Sequence, residues 1–425
     1  MEADTYYGAI YGLGFVHAKD RLWQLNFYRY LTSGRLAELV GSSGVSIDKF
    51  VRTIGMPRAA KAMIASLNDE DRNFLQNYVN GINKVADNVA LYPAEFYILM
   101  TGFDKFTIDD VAGMIMFFRV FLTRDWDVEY LRGRLTEIYD REFVDRLLPF
   151  QKKHYFDTGN METILDHELE QFGFYVPENA ENLFRVDEEL YHLRAKSKDK
   201  FEFQANFKES KWGFQELVSG WNNVGSNCWA IHGNFTHTGK PILSCDPHLG
   251  KFASPTWYPV RISWNETITE QTDSGPVRSS YRTYIAGHGA VGVPLFGYIK
   301  TPFLAGGATA LNPDAKDLFL EEVKDGKYLS SDGTWQDVEK IHEVIKVRLG
   351  SDVHFDIQYT DNGVLLPKDI MTKDTRPFHD AVVQEMWESD DIWNQGKMYA
   401  LAQYFDPLVF KNLHGADEQF WPLLS

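Results

Sequence analysis

A chain of 425 residues with 44% hydrophobic and 24% charged residues has ordinary globular composition, which excludes general disorder. Its length predicts two domains or one large multilayer domain. With 60 acidic and 43 basic side chains the net charge is −17, and no Lys/Arg cluster offers a local exception, so nucleic acid is excluded as a partner.

From the N-terminus onward, the first dozen residues lack a basic segment followed by an apolar run, so no secretory signal is expected within this chain. A helix is predicted after Asn68. That residue can cap, Asp69 to Asp71 fill the first turn, and Phe74, Leu75, Tyr78, Val79, Ile82, Val85 and Val89 recur on one face. A second helix starts at Thr107, with Asp109 and Asp110 near its positive end. Its apolar stretch, Val111 to Leu122, is interrupted by Arg119 and is too short to cross a bilayer, so an interior helix is expected and no membrane span. Val128, Leu131, Leu135 and Ile138 repeat the helical period, and residues 152–210 read as surface connections and short helices.

Near Val218 the texture changes to short β-branched and aromatic runs separated by turn residues. Cys228–Ile231 and Ile242–Cys245 flank the turn Thr238–Pro241 as a hairpin, and further strands are predicted at Tyr281–Ala286, Lys340–Arg348 and Val353–Tyr359. Helices first and strands afterwards make the fold class α+β. The two cysteines, Cys228 and Cys245, can form one disulfide or stay as two buried thiols. Asn234 and Asn265 stand in glycosylation-acceptor tripeptides, a pattern that arises often by chance.

Three stretches carry chemistry. The first runs Gly12–Gln24, then Ser33–Glu38, Gly41, Asp48 and Arg52. The second is Gly225–Ile231, Thr238–Leu243 and Asp246–Leu249, and the third is Gly292–Pro294, Gly307–Ala310, Asp314 and Asp317–Phe319. No Gly-x-Ser-x-Gly surrounds Ser226, so a nucleophile elbow is not indicated. A free α-amine titrates near 7.7–8.0 and could serve as base if Ser226 became a chain terminus. Glycine at 225 would suit such a cut, since it permits backbone geometries other residues resist.

In this order and spacing the stretches resemble the penicillin-acylase family of N-terminal-nucleophile hydrolases, whose members cut an amide joining an acyl group to an amine. The resemblance covers most of the chain. It implies a four-layer αββα sandwich with a helical first half, residues 1–225 and 226–425 acting as α- and β-like regions of one intertwined domain. Autocatalytic cleavage between Gly225 and Ser226 would leave the two chains associated, with Ser226 as nucleophile. His248 of the Asp-Pro-His-Leu segment would contact it, the N–H of Ala310 would be one oxyanion donor, and Leu249 and Tyr298 would line the acyl pocket. The helix from Phe117 to Trp126 would help close that pocket. Glu129, Asp314 and Asp317 match a structural calcium site, and catalysis itself needs no cofactor. His17, His232, His237 and His288 are read as structural. No acid is assigned to His248, which sets a Ser-His-Asp triad aside.

The sequence also departs from the family. Gly306 stands where tryptophan is usual, and Asp361–Val364 replaces a His-Gly-Pro-Val pattern. Relatives begin before the position of Met1 and continue beyond that of Ser425, where a second oxyanion donor, an asparagine, would fall. Two functions are therefore carried: an acylase precursor acting on a small acyl amide, of the kind met in antibiotic metabolism, and a non-catalytic relative whose scaffold binds a ligand or partner.

Overall fold

The structure, a computed structural model, describes residues 1–123, 126–137, 139–147, 225–249, 254–272, 275–309, 316–378 and 381–403. The surface connections expected at 152–210 lie outside them. The chain divides into two compact units, Met1–Asp127 with Phe214–Ser425, and Val128–Gly213.

The first unit begins with α1 (Tyr6–Thr32), α2 (Ala37–Val40), α3 (Val45–Thr53), α4 (Met56–Ser66), α5 (Asp69–Ala86), α6 (Ala94–Ile98) and α7 (Ile108–Leu122). The caps expected from sequence form. Asn68 accepts from the Asp71 N–H at 2.8 Å, and the Asp110 carboxylate accepts from the Thr107 N–H at 2.8 Å. Helix α5 buries Leu75, Tyr78, Val79 and Ile82 against α1. The two helices touch through glycine on both sides: a side chain at Gly14 would strike the Tyr78 carbonyl, and one at Gly81 the Tyr11 carbonyl. Helix α7 is buried nearly all round, as an interior helix should be.

The second motif half of the first stretch is a structural knot. Buried Asp48 accepts the N–H groups of Leu36 and Ala37, each at 2.7 Å, which satisfies the donors left open at the start of α2. Arg52 reaches the Gly34 carbonyl at 2.8 Å and the Glu343 carboxylate at 2.9 Å, tying the helices to a distant strand.

The second unit contains most of α8 (Trp126–Thr136), on which Val128 is exposed, and α9 (Arg141–Leu147). Arg132 pairs with Asp145 to join them.

Among the described residues the rest of the first unit is mostly strands, all paired antiparallel. A ribbon of β1 (Gly225–Ile231) and β2 (Ile242–His248) stands by itself among the described residues. A four-stranded sheet runs in order β3 (Trp257–Thr272), β4 (Gly275–Ala290), β5 (Phe296–Lys300) and β6 (Ala305–Gly307). The expected Tyr281–Ala286 strand is only the middle of β4. Its long partner β3 was not anticipated, because Arg261, Asn265 and Glu266 break the apolar texture while backbone pairing along its whole length holds it.

The other strands are β7 (Lys316–Lys324), β8 (Lys327–Leu329), β9 (Trp335–Asp337), β10 (Glu339–Ile345), β11 (Val353–Thr360) and β12 (Gly363–Leu366). Helix α10 (Ala381–Ser389) and β13 (Lys397–Gln403) follow. They form a seven-stranded sheet in the order β10-β11-β12-β13-β7-β8-β9. A helical first half followed by antiparallel sheets is the α+β order the sequence indicated.

Both halves interlock. The Met1 ammonium donates to the Arg261 carbonyl at 2.8 Å, and the Ala3 N–H to the Ser263 carbonyl at 2.8 Å. The Gly292 N–H donates to the Tyr78 hydroxyl at 3.1 Å.

Candidate active site

The β1–β2 register opposes Gly225 to His248, Ser226 to Pro247, Asn227 to Asp246 and Cys228 to Cys245. Because side chains alternate along a strand and opposed residues share a face, the ribbon has two distinct faces. One carries Ser226, Cys228, Leu243, Cys245 and Pro247 and is half-buried; the other carries Asn227, Trp229, Ser244, Asp246 and His248 and is exposed. The Ser226 hydroxyl donates to the Gly225 carbonyl at 2.7 Å. The two cysteines face each other across the strands as a disulfide pair on the serine face. Gly307 of β6 rests on it, since a side chain there would collide with both sulfurs.

Glycine at 225 has no conformational necessity here. It is absent from the positive-φ glycines, and a Cβ would have only His248 Nδ1 near it, at an ordinary 3.8 Å. Gly225 lies in plain strand geometry, and its fitness for the cut rests on the small bulk beside the carbonyl.

His248 sits across from Gly225, with Nδ1 on the Gly225 side and Nε2 2.8 Å from Oδ2 of Asp246. Its ring lies on the opposite face from the Ser226 side chain, and the hydrogen bond of the hydroxyl goes to Gly225 instead. The acid that sequence reasoning could not assign to the imidazole is Asp246, two residues earlier on the same strand and hence on the same face. A Ser-His-Asp relay is still not assembled, because serine and imidazole face apart.

Ser226 opens on a cleft of about 500 Å³. Helix α7 contributes Ile115, Phe118, Arg119, Leu122 and Thr123. The ribbon contributes Gly225, Ser226 and Leu249, and the four-stranded sheet with its loops contributes Trp257, Ala290, Val293, Leu295, Phe296, Gly297, Tyr298, Ala308 and Thr309. Leu249 and Tyr298, named from sequence, line one void with Phe118 and Leu122 of α7, but the helix expected from Phe117 to Trp126 ends at Leu122 and Trp126 opens α8. Tyr298 is fixed edge-on to Trp257, ring centroids 5.5 Å apart. The lining is overwhelmingly apolar, with one cation. Burial lowers the pKa of the Arg119 guanidinium, and among the described residues it has no carboxylate partner. The sequence signal for Arg119 is a lone charge inside an apolar helix.

Ala310 and Asp314 lie outside the described residues. Glu129 belongs to α8, and Asp317 is the second residue of β7, opposite Ala402. Among the described residues no three or more His, Cys, Asp or Glu side chains gather so as to hold a metal ion. His17 is fully buried, its Nδ1 2.6 Å from the Tyr78 hydroxyl, and burial lowers its pKa to about 3. Among the described residues no helix is long and apolar enough to cross a membrane.

Comparison with known proteins agrees with this arrangement of motifs. The penicillin amidase family model matches residues 1–419. An acyl-homoserine lactone acylase, QuiP, of Pseudomonas aeruginosa is 26% identical over 86% of this chain and 38% of its own length. Penicillin G acylase of Escherichia coli is 26% identical over 87% of this chain and 44% of its own. The penicillin acylase 2 proenzyme of Pseudomonas sp. (strain SE83) is likewise 26% identical, over 87% and 42%. The chain spans about two fifths of the length of the curated relatives it matches.

Proposed function

Because this chain belongs to the penicillin amidase family, we propose that it is an amidohydrolase that cuts itself between Gly225 and Ser226 and then cleaves a linear acyl amide through an acyl-enzyme on Ser226. The observation that carries the reading is the Ser226 hydroxyl, held against the carbonyl of the bond to be cut and facing a large apolar cleft. In the first reaction Oγ adds to the Gly225 carbonyl carbon. The peptide C–N bond breaks, the nitrogen takes up a proton, and water hydrolyses the ester left behind. The freed α-amine, with a pKa of roughly 8, then takes the Oγ proton as Ser226 attacks substrate. It returns that proton to the leaving amine.

The cleft suits an apolar acyl group, and Arg119 offers the partner for an anionic group on the same substrate. The Ala310 N–H would donate to the oxyanion, a contribution typically worth about 2.7–4 kcal/mol. His248, on the Gly225 side of the ribbon, would act during the self-cleavage. One relative is named a proenzyme, which accords with processing. Hydrogen bonds from Met1 and Ala3 to β3, and from Gly292 to Tyr78, would keep the two pieces together afterwards. A four-layer sandwich, and a structural Ca²⁺ on Glu129, Asp314 and Asp317, belong to the same proposal. Carboxylates suit that ion, and a fall in melting temperature on chelation would test it.

A non-catalytic binding scaffold is the second reading, favoured by the separation of Ser226 and His248 onto opposite faces. Intact mass and N-terminal sequencing of the purified chain, with hydrolysis of a chromogenic acyl amide, decide between them. The proposal expects a new terminus at Ser226 and activity, both lost in Ser226→Ala. An uncut chain without activity supports the scaffold, and activity surviving Ser226→Ala defeats the nucleophile assignment.

A further inference from the structure

At the edge of the seven-stranded sheet, far along the chain from the cleft residues, two imidazoles point at each other. The register pairs His342 with Asp356 and Val344 with His354, so His342, His354 and Asp356 share one face of β10 and β11. All three side chains are exposed. Nε2 of His342 lies 3.2 Å from Nδ1 of His354, and Nδ1 of His342 lies 2.8 Å from Oδ1 of Asp356. The ring centroids are 5.4 Å apart with planes inclined by 25°.

An ionised carboxylate only accepts, so Asp356 takes the hydrogen on Nδ1 of His342 and fixes the tautomer. Nε2 is then the acceptor toward His354, and the hydrogen it shares with Nδ1 of that ring is the one a bound ion would displace. A carboxylate behind an imidazole is the usual arrangement for orienting a metal-binding histidine. Two nitrogens about 2.0–2.1 Å from a tetrahedral ion sit roughly 3.3 Å apart. At the right angle of a square-planar ion they sit roughly 2.9 Å apart. The observed 3.2 Å falls between these, with the strands already holding both rings.

We propose that His342 and His354 bind one divalent transition-metal ion of the imidazole-preferring kind, with Asp356 as a positioning residue. Two protein donors leave the other coordination positions to water or an outside ligand, which makes the site weaker than one with three or four protein ligands. The order of intrinsic affinities places Cu²⁺ above Ni²⁺ and Zn²⁺. Lys340 and Gln358, the next pair on the same face, set a limit: the lysine opposes a cation.

Calorimetric titration of the full chain with CuCl₂ and ZnCl₂, and electron paramagnetic resonance of the Cu²⁺ form, test this. One ion per chain should bind, copper more tightly than zinc, with nitrogen coupling in the spectrum. His342→Ala and His354→Ala should each weaken binding by at least about tenfold, and Asp356→Asn by about tenfold. His232→Ala and His237→Ala, on exposed positions elsewhere, should leave it unchanged. Absence of saturable binding up to millimolar metal, copper without nitrogen coupling, or affinity unmoved in both His342→Ala and His354→Ala would overturn the site. The wild-type titration and spectrum are independent of how any variant folds.

Discussion

Nε2 of His248 lies 2.8 Å from Oδ2 of Asp246, and the pair occupies the face of the ribbon opposite the Ser226 hydroxyl. Asp246 takes the Nε2 hydrogen, which leaves Nδ1 as the basic nitrogen on the Gly225 side. Under the proposed self-cleavage, Asp246→Asn should slow conversion by on the order of tenfold to a hundredfold. The hydrogen-bonded pair is exposed, so thermal stability should move by no more than about 1 kcal/mol. Intact mass followed over time checks the rate, and conversion at the wild-type rate would remove His248 from the chemistry.

Gly307 packs against the Cys228–Cys245 disulfide, and the position of an added Cβ lies 3.0 Å from the Tyr298 ring. Gly307→Ala should therefore cost about 1–3 kcal/mol in unfolding free energy as sulfur and ring move aside. Denaturant unfolding of both proteins measures it. An unchanged midpoint would mean that the ribbon is free to shift away from β6.

Tyr78 serves two partners at once. Its oxygen accepts the Gly292 N–H at 3.1 Å, so its own hydrogen goes to Nδ1 of His17 at 2.6 Å. Removing the hydroxyl in Tyr78→Phe strands a buried donor and a buried acceptor, and should destabilise by about 2–4 kcal/mol. The loop after β4 that carries Val293 into the cleft should loosen with it, visible as faster amide exchange at Gly292.

Two buried groups give the stability opposite pH slopes. His17 has its pKa lowered from 6.5 to about 3 by burial, so the unfolded chain binds more protons between those values and stability falls as pH drops through that window. Asp48 has its pKa raised from 3.8 to about 7, chiefly by burial, so the folded chain binds the extra proton and stability falls as pH rises from about 4 to 7. Each slope approaches about 1.4 kcal/mol per pH unit. The advantage of wild type over His17→Gln should shrink toward acid, and that over Asp48→Asn should shrink toward neutrality. Parallel curves for wild type and a variant would show that the substituted group keeps its ordinary titration when folded.

Features that depend on neighbours a few residues apart are legible in the chain alone. Asn68 and Thr107 start helices because their caps act within one turn, and the period of Leu75, Tyr78, Val79 and Ile82 marks a buried face whatever lies opposite. The motif around Ser226 and the hairpin returning to His248 were legible for the same reason, as was the family they resemble. Which of those residues meet follows from packing between distant elements. Phe118 and Arg119 share a cleft with Ser226 only because the fold brings α7 and the ribbon to one void, and Asp48 holds Leu36 and Ala37 only because α3 folds back. The face of His248 was not readable at all, since strand side chains alternate and a shift of one residue in register would have turned the imidazole toward the serine.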